Sequence, residues 1–560
     1  MTHTSSLRDL REPIRTYTAD RSWREETLPA RVLDHTRSKP NAIAVIDSDT
    51  GIAFSWSQLW SDAQHLARFL REDLGVLPGE VVSVQLPNCY VATAVQLAVL
   101  TGGHILNVLL PNYGPREVYG ILSRSRSRAL FTIDRFRSKA NAETVQLLAT
   151  DLPGVAIQVL DHSTISSPGA ALSFVGADKV VDSATWSMSR PVTEPSALIF
   201  TSGTEAKPKG ILHSEATANA GVRIAHDHLG LGPDEVVWMP SPIGHSTGFN
   251  FGVRMAFYYG YTLVLQDRWS AEAALDVVLR TNATYTLAAT TFLSDLVSVC
   301  ETRDLKIPAL RYFGCGGAPV PPALVARGVD RGIGVLRLYG STETLVPVWN
   351  QPGVPREKLL ATDGSIIAGV ELEIRDPFGK RLPNGTVGDI HIRGPQVCIG
   401  FFEDQERLAR AFSPDGWFLS GDLGFLDDAG YLTIDGRRKE IIIRGGLNIS
   451  PREVEELILQ LDSVRDCVLV GLPDERLGEV SCACVVVSDS GIVTLADICD
   501  HLRHAGLATY KLPERLLITQ RLPRTPSGKV QRNVLVDAWT QSAQVPDWRT
   551  RRIGTWDAEE

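Results

Sequence analysis

What this sequence lacks narrows its function before any motif is read. It has no run of basic residues, and its formal net charge is −9 over 560 residues. That argues against a general nucleic-acid binder and requires any anionic ligand to find a local positive pocket. The eight cysteines are scattered. The one close pair, Cys482 and Cys484, is spaced too tightly for a metal knuckle and alternates along a strand-like run, so buried reduced thiols in a cytoplasmic protein are expected. No uninterrupted apolar run spans a bilayer: the longest, Val91 to Leu110, contains Gln96, Gly102, Gly103, His104 and Asn107 and divides into a helix, a turn and a strand. Stable membrane insertion is therefore not expected. The first residues, "MTHTSSLRDLREPIRTYTADRSWREE", are charged throughout and have no apolar core of the secretory type, which argues against export. There is no internal repeat and no low-complexity tract.

What is present is a large, ordinary globular composition, 44% hydrophobic and 22% charged. A chain of 560 residues exceeds what one core serves, so at least two domains are expected. From about residue 30 to 435, apolar strands alternate with helical periods, as in "VVSVQLP", a helix through Val99, then "HILNVLLP". Such alternation builds parallel sheet in α/β layers. A strand ends at Ile434, and the charged stretch Gly436 to Lys439 precedes a second apolar run, where a hinge fits. A helix from Pro451, the strands "DCVLVGL" and "SCACVVV", a helix from Leu495 and a strand near "RLLIT" then suggest a small α+β domain. The expected fold is α/β: a large N-terminal domain of layered α/β sheets over residues 1–436, a hinge at 437–439, a small hinged C-terminal α+β domain over 440–540, and a patternless tail, 541–560.

The stretch "LIFTSGTEAKPKG" joins a short buried strand, Leu198 to Phe200, to a loop rich in hydroxyls and amides that suit phosphate oxygens. Lys207 and Lys209 add positive charge. No G-x-x-x-x-G-K-[ST] pattern passes through Gly203 or Gly210, so a P-loop NTPase is not indicated. Alone, the stretch reads equally as a surface turn. Four more stretches change that: "YGSTETLVP", "GWFLSGDLGFLDDAGYLTIDGRRKE", "RGGLNISPREVEELI" and "LPRTPSGKVQR". In this order and over nearly the whole chain, the five resemble the adenylate-forming superfamily, which includes acyl-CoA synthetases, stand-alone adenylation domains and firefly-type luciferases. The resemblance implies two steps. A carboxylate attacks the α-phosphorus of Mg-ATP to give acyl-adenylate and pyrophosphate, and a thiol then displaces AMP.

The resemblance also assigns residues. Thr201, Ser202, Gly203, Thr204 and Lys209 hold phosphates. Glu343 offers the carboxylate for Mg²⁺, a hard ion that takes few protein oxygens when bound to phosphates; its bland reading is a surface glutamate capping a turn. Tyr339 stacks on adenine, Gly340 and Ser341 belong to the same nucleotide motif, and Thr342 contacts phosphate or acyl-adenylate. Gly316, Gly317, Ala318 and Pro319 let backbone approach the adenine edge. Asp422 and Arg437 face the ribose hydroxyls, although Asp422 also fits a simple turn in "SGDLG". Lys529 is the catalytic ammonium, neutralising charge between the attacking carboxylate and the α-phosphate; without the motif it is a solvated surface charge. Lys439 is the hinge residue, against the reading of a plain charged linker, and Gly446 with Arg444 lines a pantetheine tunnel.

For the acyl pocket the resemblance points to "SPIGHSTGF", with His245 in a catalytic and pocket role beside Ser246, Thr247, Gly248 and Phe249, and to Ala289, Gly314 and Leu345. Amino-acid-activating relatives carry an aspartate where Ser246 stands. A hydroxyl cannot balance a buried ammonium, so an apolar acid without an amino group is expected: medium-chain, alicyclic or polycyclic. The small residues read equally as simple backbone packing. The chain departs from the family's T-S-G-T-T-G-x-P-K-G at Glu205 and Ala206. A carboxylate there is unfavourable unless Lys207 or Lys209 pairs with it. That leaves room for a non-catalytic acyl-nucleotide-binding protein, although Glu343, Asp422, Arg437 and Lys529 together argue against decay. ATP, Mg²⁺ and coenzyme A are thus the expected cosubstrates and cofactor. A separate acyl carrier protein is the alternative acceptor, because Arg438, Arg444 and Arg452 suit CoA phosphates and an acidic carrier helix equally.

Overall fold

The computed structural model describes residues 6–137, 139–163, 165, 169–170, 190–201, 208–317, 320–445, 447–474, 476–488, 492–525, 529–541 and 550–553. The chain is mixed α/β and divides into two compact units: Met1–Leu372 with Ile392–Phe418, and Glu373–His391 with Leu419–Glu560. The stretch 437–439 lies inside the second unit.

The first unit holds a seven-stranded sheet in the order Gly400–Phe401, Lys209–Ser214, Pro195–Thr201, Ile105–Val108, Val81–Val84, Ala129–Ile133, Ala156–Leu160. Its inner strands Val81–Val84 and Ile105–Val108 are buried at every residue and run parallel. Continuous apolar runs are what a sheet covered on both faces demands. The crossover between them is the helix Tyr90–Thr101, also buried throughout, so the longest apolar stretch of the sequence does become a helix, a turn and a strand. The turn works because Gly102 has no Cβ: the His104 ring fills that place, its Nε2 2.5 Å from where a Cβ would stand.

A second sheet in this unit runs Ala53–Ser55, Ile43–Asp47, Thr262–Leu265, Val236–Met239, Tyr285–Ala288, Tyr312–Cys315, Val335–Ser341, Leu345–Trp349, Gly364–Ile366. It is parallel from Ile43–Asp47 to Val335–Ser341 and then turns antiparallel. The reversal is a tight hairpin pairing Ser341 with Leu345.

In the second unit a six-stranded sheet carries Leu447–Ile449, Ile442–Arg444, Gly478–Val487, Arg515–Thr519 and Thr550–Ile553 in that order, with Val464–Asp474 also paired to Gly478–Val487. Period-2 alternation sends its side chains to two cores. Leu469, Ala483 and Val485 join Val454, Ile498 and Leu502 from the helices Pro451–Ile458 and Leu495–His504. On the other face Val468, Val470, Cys482 and Cys484 meet Leu535 and Trp539 of the helix Arg532–Gln541. The tail holds a strand, Thr550–Ile553, parallel to Arg515–Thr519, where the sequence shows no pattern. All eight cysteines are free and buried. Among the described residues no helix is long and apolar enough to cross a membrane.

Candidate active site

The strands Pro195–Thr201 and Lys209–Ser214 are antiparallel neighbours, with Thr201 directly opposite Lys209. The phosphate-type loop therefore leaves and re-enters the sheet at one point. Ser202, Gly203 and Thr204, with Glu205, Ala206 and Lys207, lie outside the described residues. Lys209 opens its strand and extends its ammonium to Glu343, with Nζ 2.5 Å from Oε1.

Glu343 is at the tip of the Ser341/Leu345 hairpin. The Ser341 hydroxyl accepts from the Thr344 amide at 3.2 Å, and Leu345 closes the turn at φ +52°. Gly340 is obligatory here, since a Cβ would stand 2.0 Å from the Leu345 carbonyl oxygen. Burial opposes ionisation of Glu343, but the charge and hydrogen bond of Lys209, its own amide and the Ser341 hydroxyl outweigh it and hold its carboxyl below the ordinary value. Two further groups grip the turn: the Cys398 amide donates to the Glu343 carbonyl at 2.7 Å, and His213 Nε2 lies 2.7 Å from the Thr342 carbonyl oxygen. Nothing in the sequence pattern pointed to either one, because an isolated histidine on a strand and a backbone amide carry no spacing signature.

Tyr339 and Gly340 lead into this turn at the end of the strand Val335–Ser341. Gly314 and Gly316 lie at the end of the neighbouring strand, where close packing dictates glycine: a Cβ on Gly314 would meet Trp349 Cζ2 at 2.5 Å, and one on Gly316 the Leu338 carbonyl oxygen at 2.6 Å. Gly317 follows at φ +81°, and Ala318 and Pro319 lie outside the described residues. Ala289 precedes the helix Thr290–Thr302. His245 accepts from the Thr247 amide through Nδ1 at 3.3 Å and so caps the short helix Ser246–Gly248. The buried Ser246 hydroxyl accepts from the Asn250 side-chain Nδ2 at 3.2 Å. Gly248 is another close approach, its missing Cβ 2.2 Å from the Pro242 carbonyl oxygen. Phe249 then opens a π-helical turn, Phe249–Arg254, a distortion that recurs at functional sites. Arg254 lies over the fully buried Phe249 ring and pairs with Glu215 at 3.0 Å.

In the second unit Asp422 and Arg437 face each other across the ladder of Phe418–Leu426 and Tyr431–Arg437. Their side chains meet at 3.1 Å, Asp422 nearly buried and Arg437 half exposed. Lys439 is exposed on the single turn Arg438–Glu440. Arg438, Arg444 and Arg452 each have a carboxylate partner, respectively Asp389, Glu514 at 2.7 Å and Glu456 at 2.9 Å. Gly446 lies outside the described residues. Lys529 is exposed on a closed loop: the Thr525 amide donates to its carbonyl at 2.7 Å, its own amide to Thr525 Oγ1 at 3.1 Å, and Arg524 bridges Val530.

His213 also makes a pH prediction. Burial pushes it and His104 down to about 4, against 6.5 for an ordinary histidine. Between those values the unfolded chain binds protons that the folded chain refuses, so stability is full above pH 6.5 and falls as pH drops toward 4. Each histidine accounts for up to about 3 kcal/mol across that window. Denaturant unfolding of the first unit at a series of pH values is expected to show this fall, and a flat profile from pH 7 to 5 would contradict two buried neutral imidazoles.

Comparison with known proteins matches this architecture. The family model described as AMP-binding enzyme covers residues 33–402, and that described as AMP-binding enzyme C-terminal domain covers 453–529. The chain is 35% identical to a medium-chain fatty-acid–CoA ligase of Escherichia coli (strain K12), over 92% of this chain and 90% of that protein. It is 30% identical to a 2-hydroxy-7-methoxy-5-methyl-1-naphthoate–CoA ligase of Streptomyces carzinostaticus, over 93% and 94%. Among solved structures, ATP-bound MatB from Rhodopseudomonas palustris superposes with a TM-score of 0.82 at 26% identity, over 92% of this chain and 98% of that one. With the phosphate-loop strands, the Glu343 hairpin and the terminal lysine loop in order along one matched chain, the protein belongs to the AMP-binding enzyme family of the adenylate-forming superfamily.

Proposed function

We propose that the chain is an AMP-forming acid–thiol ligase that joins an apolar carboxylic acid to coenzyme A. In the first half-reaction a carboxylate oxygen attacks the α-phosphorus of ATP, the bond to the bridging oxygen breaks, and pyrophosphate leaves. In the second, the CoA thiol attacks the acyl carbon, loses its proton, and AMP departs with the electrons of the C–O bond. The observation that carries this reading is the pairing of buried Glu343 with the partly exposed Lys209 at the end of the phosphate-type loop. An enclosed carboxylate kept ionised and already paired with a cation has the hard oxygen chemistry that suits Mg²⁺, so Glu343 would hold the metal. The ion would supply charge neutralisation at the phosphates.

Lys209 is then left to face phosphate oxygens, Asp422 and Arg437 take the ribose, and Lys529 neutralises charge on the attacking carboxylate. Residues 437–439 form the hinge that separates the two half-reactions. The acid is apolar and carries no amino group. Buried Ser246 offers only a neutral hydroxyl, already accepting from Asn250, and an unpaired ammonium costs several kcal/mol to bury. Relatives named for a medium-chain fatty acid and a naphthoate fit that class. Each methylene buried adds roughly 0.8 kcal/mol, so octanoate and a cyclohexane-type acid are expected to drive pyrophosphate exchange well above acetate or phenylalanine, with an acyl-CoA product by mass spectrometry. A preference for acetate or phenylalanine would overturn the assignment.

A further inference from the structure

The Glu343 turn is held from the strand Lys209–Ser214 at two points. Lys209 and His213 are four residues apart on that strand, hence on one face. The long Lys209 side chain reaches the Glu343 carboxylate, and the short His213 ring reaches the backbone one residue earlier, at the Thr342 carbonyl. His213 is 1% exposed. A carbonyl only accepts, so Nε2 carries the proton toward Thr342, while Nδ1 faces the Thr217 hydroxyl at 3.1 Å. Thr217 lies on the following helix, Glu215–Leu229, and takes part in its cap with Ser214. The imidazole therefore links the start of that helix to the hairpin that carries Glu343. The turn is also held by the Cys398 amide, a backbone donor that side-chain truncation leaves in place. His213 is the side-chain half of this grip.

We propose that His213 is a positioning residue: by fixing the Thr342 carbonyl it sets where the Glu343 carboxylate points, and so tunes affinity for the metal-bound nucleotide. This rests on the functional reading above, in which Glu343 holds Mg²⁺. Groups that orient a metal ligand from behind matter most when the metal is present. Loss of the His213 donor thus weakens MgATP binding and leaves metal-free ATP binding nearly unchanged.

The test is titration calorimetry on the full chain with ATP in Mg²⁺ and with ATP in EDTA, for wild type, His213→Leu, His213→Gln and His213→Asn. Glutamine carries its amide to the position of Nε2 and keeps the donor, whereas asparagine stops near Nδ1 and falls short of Thr342. His213→Leu and His213→Asn are expected to weaken MgATP binding by about tenfold and metal-free ATP by no more than about twofold, with His213→Gln close to wild type. Equal weakening of both nucleotide forms, equal loss in the glutamine and asparagine variants, or no loss at all overturns the proposal. If the leucine variant does not fold, the glutamine–asparagine pair decides alone. Should no acid support pyrophosphate exchange, the ligase reading fails, while the binding pattern still reports on His213.

Discussion

Lys529→Ala is expected to abolish acid-dependent pyrophosphate exchange, by about 10²–10³ or more, and to leave thioester formation from supplied acyl-adenylate near the wild-type rate. The segments that flank the loop carry ion pairs of their own. Arg524 pairs with Asp466 at 2.6 Å on one side. On the other, Arg532 pairs with Glu440 at 3.2 Å and with Glu455 at 3.0 Å. Lys529 itself is exposed, so no core contact is lost. A lysine that serves only the first half-reaction must split the two rates, and equal loss of both would remove it from that role. Lys439→Pro is the reciprocal probe. A fixed φ stiffens the segment, so exchange should persist while the thioester step slows, and an unaffected thioester step would move the hinge elsewhere.

Glu343→Gln should lower pyrophosphate exchange by about 10²–10³ and raise the Mg²⁺ concentration needed for half-maximal rate. Glutamine preserves shape and the hairpin, so the variant separates charge from packing. It also bears on pH. The Glu343 carboxyl is held below its ordinary value of 4.5, so what its ionisation contributes to stability is present above pH 4.5 and lost as pH falls through the folded value. The variant should lack that acid-side loss. Wild-type exchange with an unchanged Mg²⁺ requirement in Glu343→Gln would exclude the carboxylate as the metal ligand.

The layered fold was readable because its signals are local. The run from Val91 to Leu110 announces a buried helix and strand through apolar content and two glycines, and "YGSTETLVP" marks a turn at Glu343, although nothing local shows that its carboxylate is buried. Pairings between distant segments were not readable. Lys209, one of the two lysines that the sequence offered to Glu205, is bonded to Glu343, 134 residues away, while Glu205 and Lys207 lie outside the described residues. The bridge from His213 to Thr342 spans 129 residues, and each partner looks ordinary in its own neighbourhood. The π-helical turn at Phe249–Arg254 escaped for a related reason: an apolar run such as "FNFGVRMAF" is compatible with several helical periods, and packing selects among them. The strand Thr550–Ile553 depends on a parallel neighbour, Arg515–Thr519, and carries no alternation of its own.

The cysteines give the chemistry a further property. All eight are buried, and burial pushes Cys315 and Cys398 up to about 12, so neither offers a thiolate near neutral pH. An acyl-adenylate is an electrophile that any accessible thiolate would capture. A ligase with no thiol of its own at the surface protects its activated intermediate from self-acylation, and the only sulfur positioned to receive the acyl group arrives from solution.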